Sequence, residues 1–95
     1  MNRLVMHATL AHTAALRYTP AGIPALDLTL VHESEQQEMG QTRRVNLELR
    51  AVAFGAQAET LARQPLGSVF GFEGFLTNTR NGKGVVFHIQ DFKQT

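Results

Sequence analysis

In three stretches of this chain every second residue is apolar: Leu4, Met6, Ala8 and Leu10; Leu26, Leu28 and Leu30; and Val45, Leu47, Leu49 and Ala51. Successive side chains of an extended chain point to opposite faces, so each set lies along one face of a β-strand. A helix of the same residues would scatter them round its circumference. The pattern commits the chain to a sheet with one buried face, and gives strands over residues 3–12, 25–33 and 43–54.

Between the first two strands lies Leu-Arg-Tyr-Thr-Pro-Ala-Gly-Ile-Pro, residues 16–24. Two prolines and a glycine within five residues make it a turn rather than a strand or helix. It sets a cation, Arg17, beside a ring, Tyr18. Residues 33–42, polar and acidic with one glycine, read as a flexible hairpin loop. Gly55 ends the third strand. Residues 56–63 favour a short helix, with Ala58, Leu61 and Ala62 spaced for one apolar face. Pro65 and Gly67 stop it. A fourth strand over 68–77 contains Gly71 and Gly74, which signal a bulge or bend. Asn81-Gly82 marks the hairpin at 79–84, and a fifth strand covers 85–92.

Three strands, a short helix and two strands, with glycines at strand corners, indicate an all-β, five-stranded closed barrel. With its helix between strands 3 and 4, this is the OB-fold arrangement. At 95 residues the chain is expected to be a single domain, 1–95, whose modest core would benefit from pairing with a second copy. The expected contact is the edge of the first strand.

The net charge of +1 excludes a strongly basic polyanion binder, but the acids Glu33, Glu35 and Glu38 cluster, which leaves room for a basic face elsewhere. With no cysteine there are no disulfides, thiolate metal sites or thiol nucleophiles. No leader pattern and no apolar run of about 20 residues is present, which points to the cytoplasm and away from membranes.

His7, His12, His32 and His88 stand at no metal-binding spacing and read as ordinary sheet residues. Ser34 and Ser68 have no evident base, and no glycine-rich phosphate loop appears. No catalytic residue, cofactor or metal is expected, and the chain reads as a binding protein rather than an enzyme. Phe70, Phe72 and Phe75 read as core. The cations Arg17, Arg43, Arg44, Arg50, Arg80 and Lys83 converge, in an OB-fold, on the strand 2–3 face and the 1–2 and 4–5 connections, where this architecture binds oligonucleotides. Tyr18 is a candidate for stacking on a base or for capping the barrel end.

Several segments resemble the bacterial single-stranded DNA-binding protein family in order and spacing. They are Asn2-Arg-Leu-Val, Leu16-Arg-Tyr-Thr-Pro-Ala-Gly, Val52-Ala-Phe-Gly-Ala-Gln-Ala-Glu-Thr-Leu-Ala and Glu73-Gly-Phe-Leu. Pro20-Ala-Gly-Ile-Pro24 and the short chain, without an acidic-tipped tail, look closer to its primosomal branch. The resemblance implies a homodimer that binds single-stranded DNA and bridges the restart helicase PriA and the loader-side DnaT. By position it makes Arg17, Arg43 and Arg80 DNA-contacting or adjacent, with Lys83 in the basic 4–5 loop. Asn46 stands where family members carry a tryptophan, and Glu33 where a basic residue is common. These departures imply weaker DNA binding, and leave a protein-interaction adaptor as the alternative.

Overall fold

Each alternating run forms a strand in the computed structural model, which describes residues 1–94. In chain order the elements are β1 (Leu4–Thr13), β2 (Arg17–Tyr18), β3 (Pro24–Glu38), β4 (Gln41–Phe54), α1 (Ala56–Ala62), β5 (Val69–Asn78) and β6 (Val85–Gln94). The five long strands close a ring. β1 pairs antiparallel with β3 and β5, β3 with β4, and β5 with β6. A short parallel contact between β4 and β6, from Ala51 to Ala53, completes it. This is the five-stranded OB-fold barrel, with its helix between β4 and β5.

The alternating residues fill the barrel. Leu10, Leu26, Leu30, Phe72 and Phe87 are fully buried, each worth about 1.5–3 kcal/mol relative to exposure. α1 packs on β3 and β4 and adds Ala58 and Leu61 to the same core. Ala62, expected on that face, is exposed. Phe75 is not core either. Counting in twos from buried Phe72 puts it on the outer face, where it is half-buried.

Two connections differ from expectation. Residues 33–42 are not a loop: β3 and β4 stay paired from Ala25↔Phe54 out to Glu38↔Gln41. The turn is only Met39-Gly40, with φ of 52° and 77°, the two positive values a type I′ hairpin requires. The result is a two-stranded arm that leaves the barrel, and Leu47 on it is 41% exposed rather than inward. Arg17 and Tyr18 belong to a strand, opposite Ala25 and Pro24, so the true turn is Thr19 to Ile23. The edge of β1 is open only in part. Thr9–Thr13 lie against β3, whereas Leu4–Ala8 pair with β5 alone.

β1 also carries a bulge between Leu10 and His12. The extra residue, Ala11, breaks the alternation, so His12 lies outside beside Thr29 instead of following Leu10 inward. A second irregularity falls at Glu73/Gly74, where β6 crosses β5. A Cβ at Gly74 would overlap the carbonyl oxygen of His88 and come within 2.9 Å of its carbonyl carbon. Only glycine allows this crossing. Gly74→Ala is therefore expected to cost about 1–3 kcal/mol, read as a lower urea midpoint; an unchanged midpoint would contradict this account of the crossing.

Candidate nucleic-acid interface

Strand register aligns outward residues into two rows across the barrel. One runs His12, Thr29, Arg50 over β1, β3 and β4. The next runs Asp27, Val52, His88, Phe75 over β3, β4, β6 and β5. Together with β2 and the 79–84 connection these rows, apart from Phe75, line a groove of about 780 Å³. Arg17, Arg50, Arg80, His12, His88 and Phe54 all open onto it.

Each cation is placed by a local device. The two-residue β2 sets Arg17 opposite Ala25, so Asp27, two positions on, shares its face. The guanidinium forks onto that carboxylate, with Nε donating to Oδ2 at 2.8 Å and Nη2 to Oδ1 at 3.2 Å. These donated hydrogen bonds hold the Asp27 carboxyl below the usual carboxylate range and raise Arg17 above the ordinary guanidinium value. Arg50 and Arg80 have no carboxylate within ion-pair distance among the described residues. The 79–84 connection that carries Arg80 is shaped by Asn81, whose Oδ1 accepts from Thr79 Oγ1 at 2.8 Å and the Lys83 amide at 3.0 Å.

Between these cations stands a column of rings. Phe75 and His88 are stacked, with centroids 4.8 Å apart and planes at 21°. Phe54, at the end of β4, lies 5.8 Å from His88 at 36°. Phe54 is 42% exposed, so part of the residue is accessible to a planar ligand. The groove thus offers guanidiniums for anions beside an aromatic platform.

Of the eight residues singled out from the sequence, the structure brings Arg17, Arg50 and Arg80 together. Tyr18 and Lys83 are exposed at the margin and do not line the groove. Arg44 and Asn46 lie on the arm, on the same face of β4 as Arg50 but about 20 and 13 Å farther out at strand rise. Arg44 stands opposite Glu35 and Asn46 opposite Glu33, with Glu48 between Asn46 and Arg50, so acids interrupt the cations of this row. Arg43 is on the other face and pairs with Glu38 at 3.2 Å. The sequence offers no candidate at Phe54 and reads His12 and His88 as ordinary sheet residues, whereas all three line the groove. By position Phe54 was legible all the same, since it falls on the Arg50 and Val52 side of the alternation. The Ala11 bulge that exposes His12 carries no signal of its own. Among the described residues no three His, Asp or Glu side chains converge as a metal site would require.

Comparison with known proteins bears on the fold and the family. Residues 2–91 match the model described as another single-strand binding protein family. The replication restart protein PriB of Bordetella pertussis is 45% identical over 95 residues, covering 99% of this chain and 89% of that protein. PriB of Neisseria gonorrhoeae is 39% identical, covering 98% and 93%. The crystal structure of PriB from Ralstonia solanacearum superposes with a TM-score of 0.89 at 35% identity, covering 99% of this chain and 97% of that one. The single-stranded DNA binding protein from Thermus aquaticus superposes with a TM-score of 0.77 at 28% identity, covering all of this chain and half of that one.

Proposed function

The chain belongs to the single-strand binding protein family and, within it, to the branch of the replication restart protein PriB; on that footing we propose that it binds single-stranded DNA in the groove under Arg80. The observation that carries this reading is the convergence of three guanidiniums and a part-exposed phenylalanine in one groove. Arg50 and Arg80 neutralise phosphates, while Arg17 stays on Asp27 and shapes the groove wall. A base stacks on Phe54, which is worth about 1–3 kcal/mol and is sequence-tolerant, because every base has a π-face.

The biological setting we assign is the rebuilding of stalled replication forks in the cytoplasm, with the helicase PriA and with DnaT as partners. Likeness to the replication restart proteins supports the setting. The protein acts there as a binding module and not as an enzyme. The adaptor reading, with vestigial DNA binding, is less well supported, because it gives the convergent cations no role. The protein works as a homodimer, in which the open edge of Leu4–Ala8 pairs with its two-fold mate; that unpaired stretch of β1 supports the arrangement.

Two measurements test these statements. In oligo-dT titrations, log K against log salt is expected to slope about −1.4, since two neutralised phosphates contribute about 0.7 each. Arg50→Ala and Arg80→Ala each flatten that slope by about 0.7, whereas Arg44→Ala on the arm leaves it unchanged. Absence of salt-sensitive binding at low ionic strength removes the DNA reading. In sedimentation equilibrium at micromolar concentration the mass is expected to be twice that of the chain; a stable monomer rules out the dimer.

A further inference from the structure

The four histidines differ in one respect that bears on the groove. His32 is committed: its Nδ1 is 2.6 Å from the His7 carbonyl oxygen and its Nε2 is 2.9 Å from Ser34 Oγ. His7 lines a separate depression on the β1–β5–β6 side. His12 and His88 both open onto the groove, and among the described residues neither ring has a hydrogen-bond partner in the fold. His12 is exposed, and among the described residues the one buried side-chain polar atom left unpartnered is Gln57 Oε1, so neither ring is sealed off. Two imidazoles with open nitrogens therefore stand among three guanidiniums. Imidazole is the side chain whose charge changes between about pH 5 and 8.

We propose that His12 and His88 are binding residues of this groove, which take up protons as single-stranded DNA enters and hold its phosphates as imidazolium. The proposal rests on the DNA-binding reading above. The groups facing the two rings are Arg17 on β2, Asp27 on β3, Arg50 on β4 and Arg80 on the 79–84 connection, besides each other. β5 contributes the uncharged Phe75. In the free groove the guanidiniums, only one of them matched by a carboxylate among the described residues, leave a positive balance of charge beside the two rings. Phosphates entering between them reverse that balance, and the protons come from solvent. His88 has a second source of stabilisation as a cation, because it lies against the faces of Phe75 and Phe54 within the range of cation–π attraction. Linkage is reciprocal: if DNA raises the proton affinity of these rings, protons raise the DNA affinity by the same factor.

The test is oligo-dT titration at pH 8 and pH 6, each at several salt concentrations, because thymine and the phosphodiester keep one charge state across that range. Wild type is expected to bind roughly three- to tenfold tighter at pH 6, with a salt slope steeper by about 0.7 for each imidazolium formed. Calorimetry in two buffers of different ionisation enthalpy should show proton uptake on binding. His88→Phe, which keeps a ring in the column, and His12→Gln should each lose part of the pH response, and the double variant all of it. Equal affinity and slope at the two pH values would overturn the proposal while leaving the DNA reading intact. A pH response that survives in the double variant would overturn it as well. Absence of binding at both pH values would remove the DNA reading and the proposal together.

Discussion

Closure of the barrel depends on a small contact, the parallel pairing of β4 with β6 over Ala51, Val52 and Ala53. It is possible because β6 can pass directly over Gly74, with no side chain to hold its backbone away from β5. Closure leaves the ring of long strands continuous, and it buries Ala51, Ala53, Phe87 and Ile89 on one face. The same register sets Val52 beside His88 and His88 beside Phe75 on the other face. The groove is thus the outside of the contact that completes the inside. A change that loosens β6 would disturb core and interface together.

Charge works by placement rather than by excess. A net charge of +1 gives little long-range attraction to a polyanion. The arm spends its cations on local acids: Arg43 pairs with Glu38, and Arg44 faces Glu35. Among the described residues of the groove only Arg17 is matched by a carboxylate, and Arg50 and Arg80 have no such partner. The positive field is therefore confined to a short path across the barrel. On the proposed reading this geometry engages few phosphates, with modest salt dependence.

Much of this was legible in the residues. Alternation located three of the five long strands and their inward leucines except Leu47, glycine and hairpin signals located the other two, and Gly74 announced the place where the strand would deviate. What escaped did so for identifiable reasons. Glu33 to Thr42 is polar because an arm in solvent needs no apolar face, so composition alone could not separate paired strands from a loop. Met39-Gly40 forms the positive-φ turn without the asparagine that usually signals one. Arg17 and Tyr18 adopt strand geometry just before a proline-rich turn because β3 extends far enough to pair with them. For the site, the three groove arginines were readable from fold and position, but the separation of Arg44 and Asn46 from them depends on how far the arm reaches. His12 was beyond reach, since one bulged residue in β1 decides which side of the barrel it faces.

The central claim is that nucleic acid tracks the groove beneath the 79–84 connection and not the arm. Amide spectra of isotopically labelled protein titrated with oligo-dT test it most directly. The account predicts that shift changes concentrate at Arg17, Thr29, Arg50, Phe54, Arg80 and His88, while residues 35–44 stay nearly still. Changes concentrated on the arm, or on the opposite β1–β5 face, would contradict it.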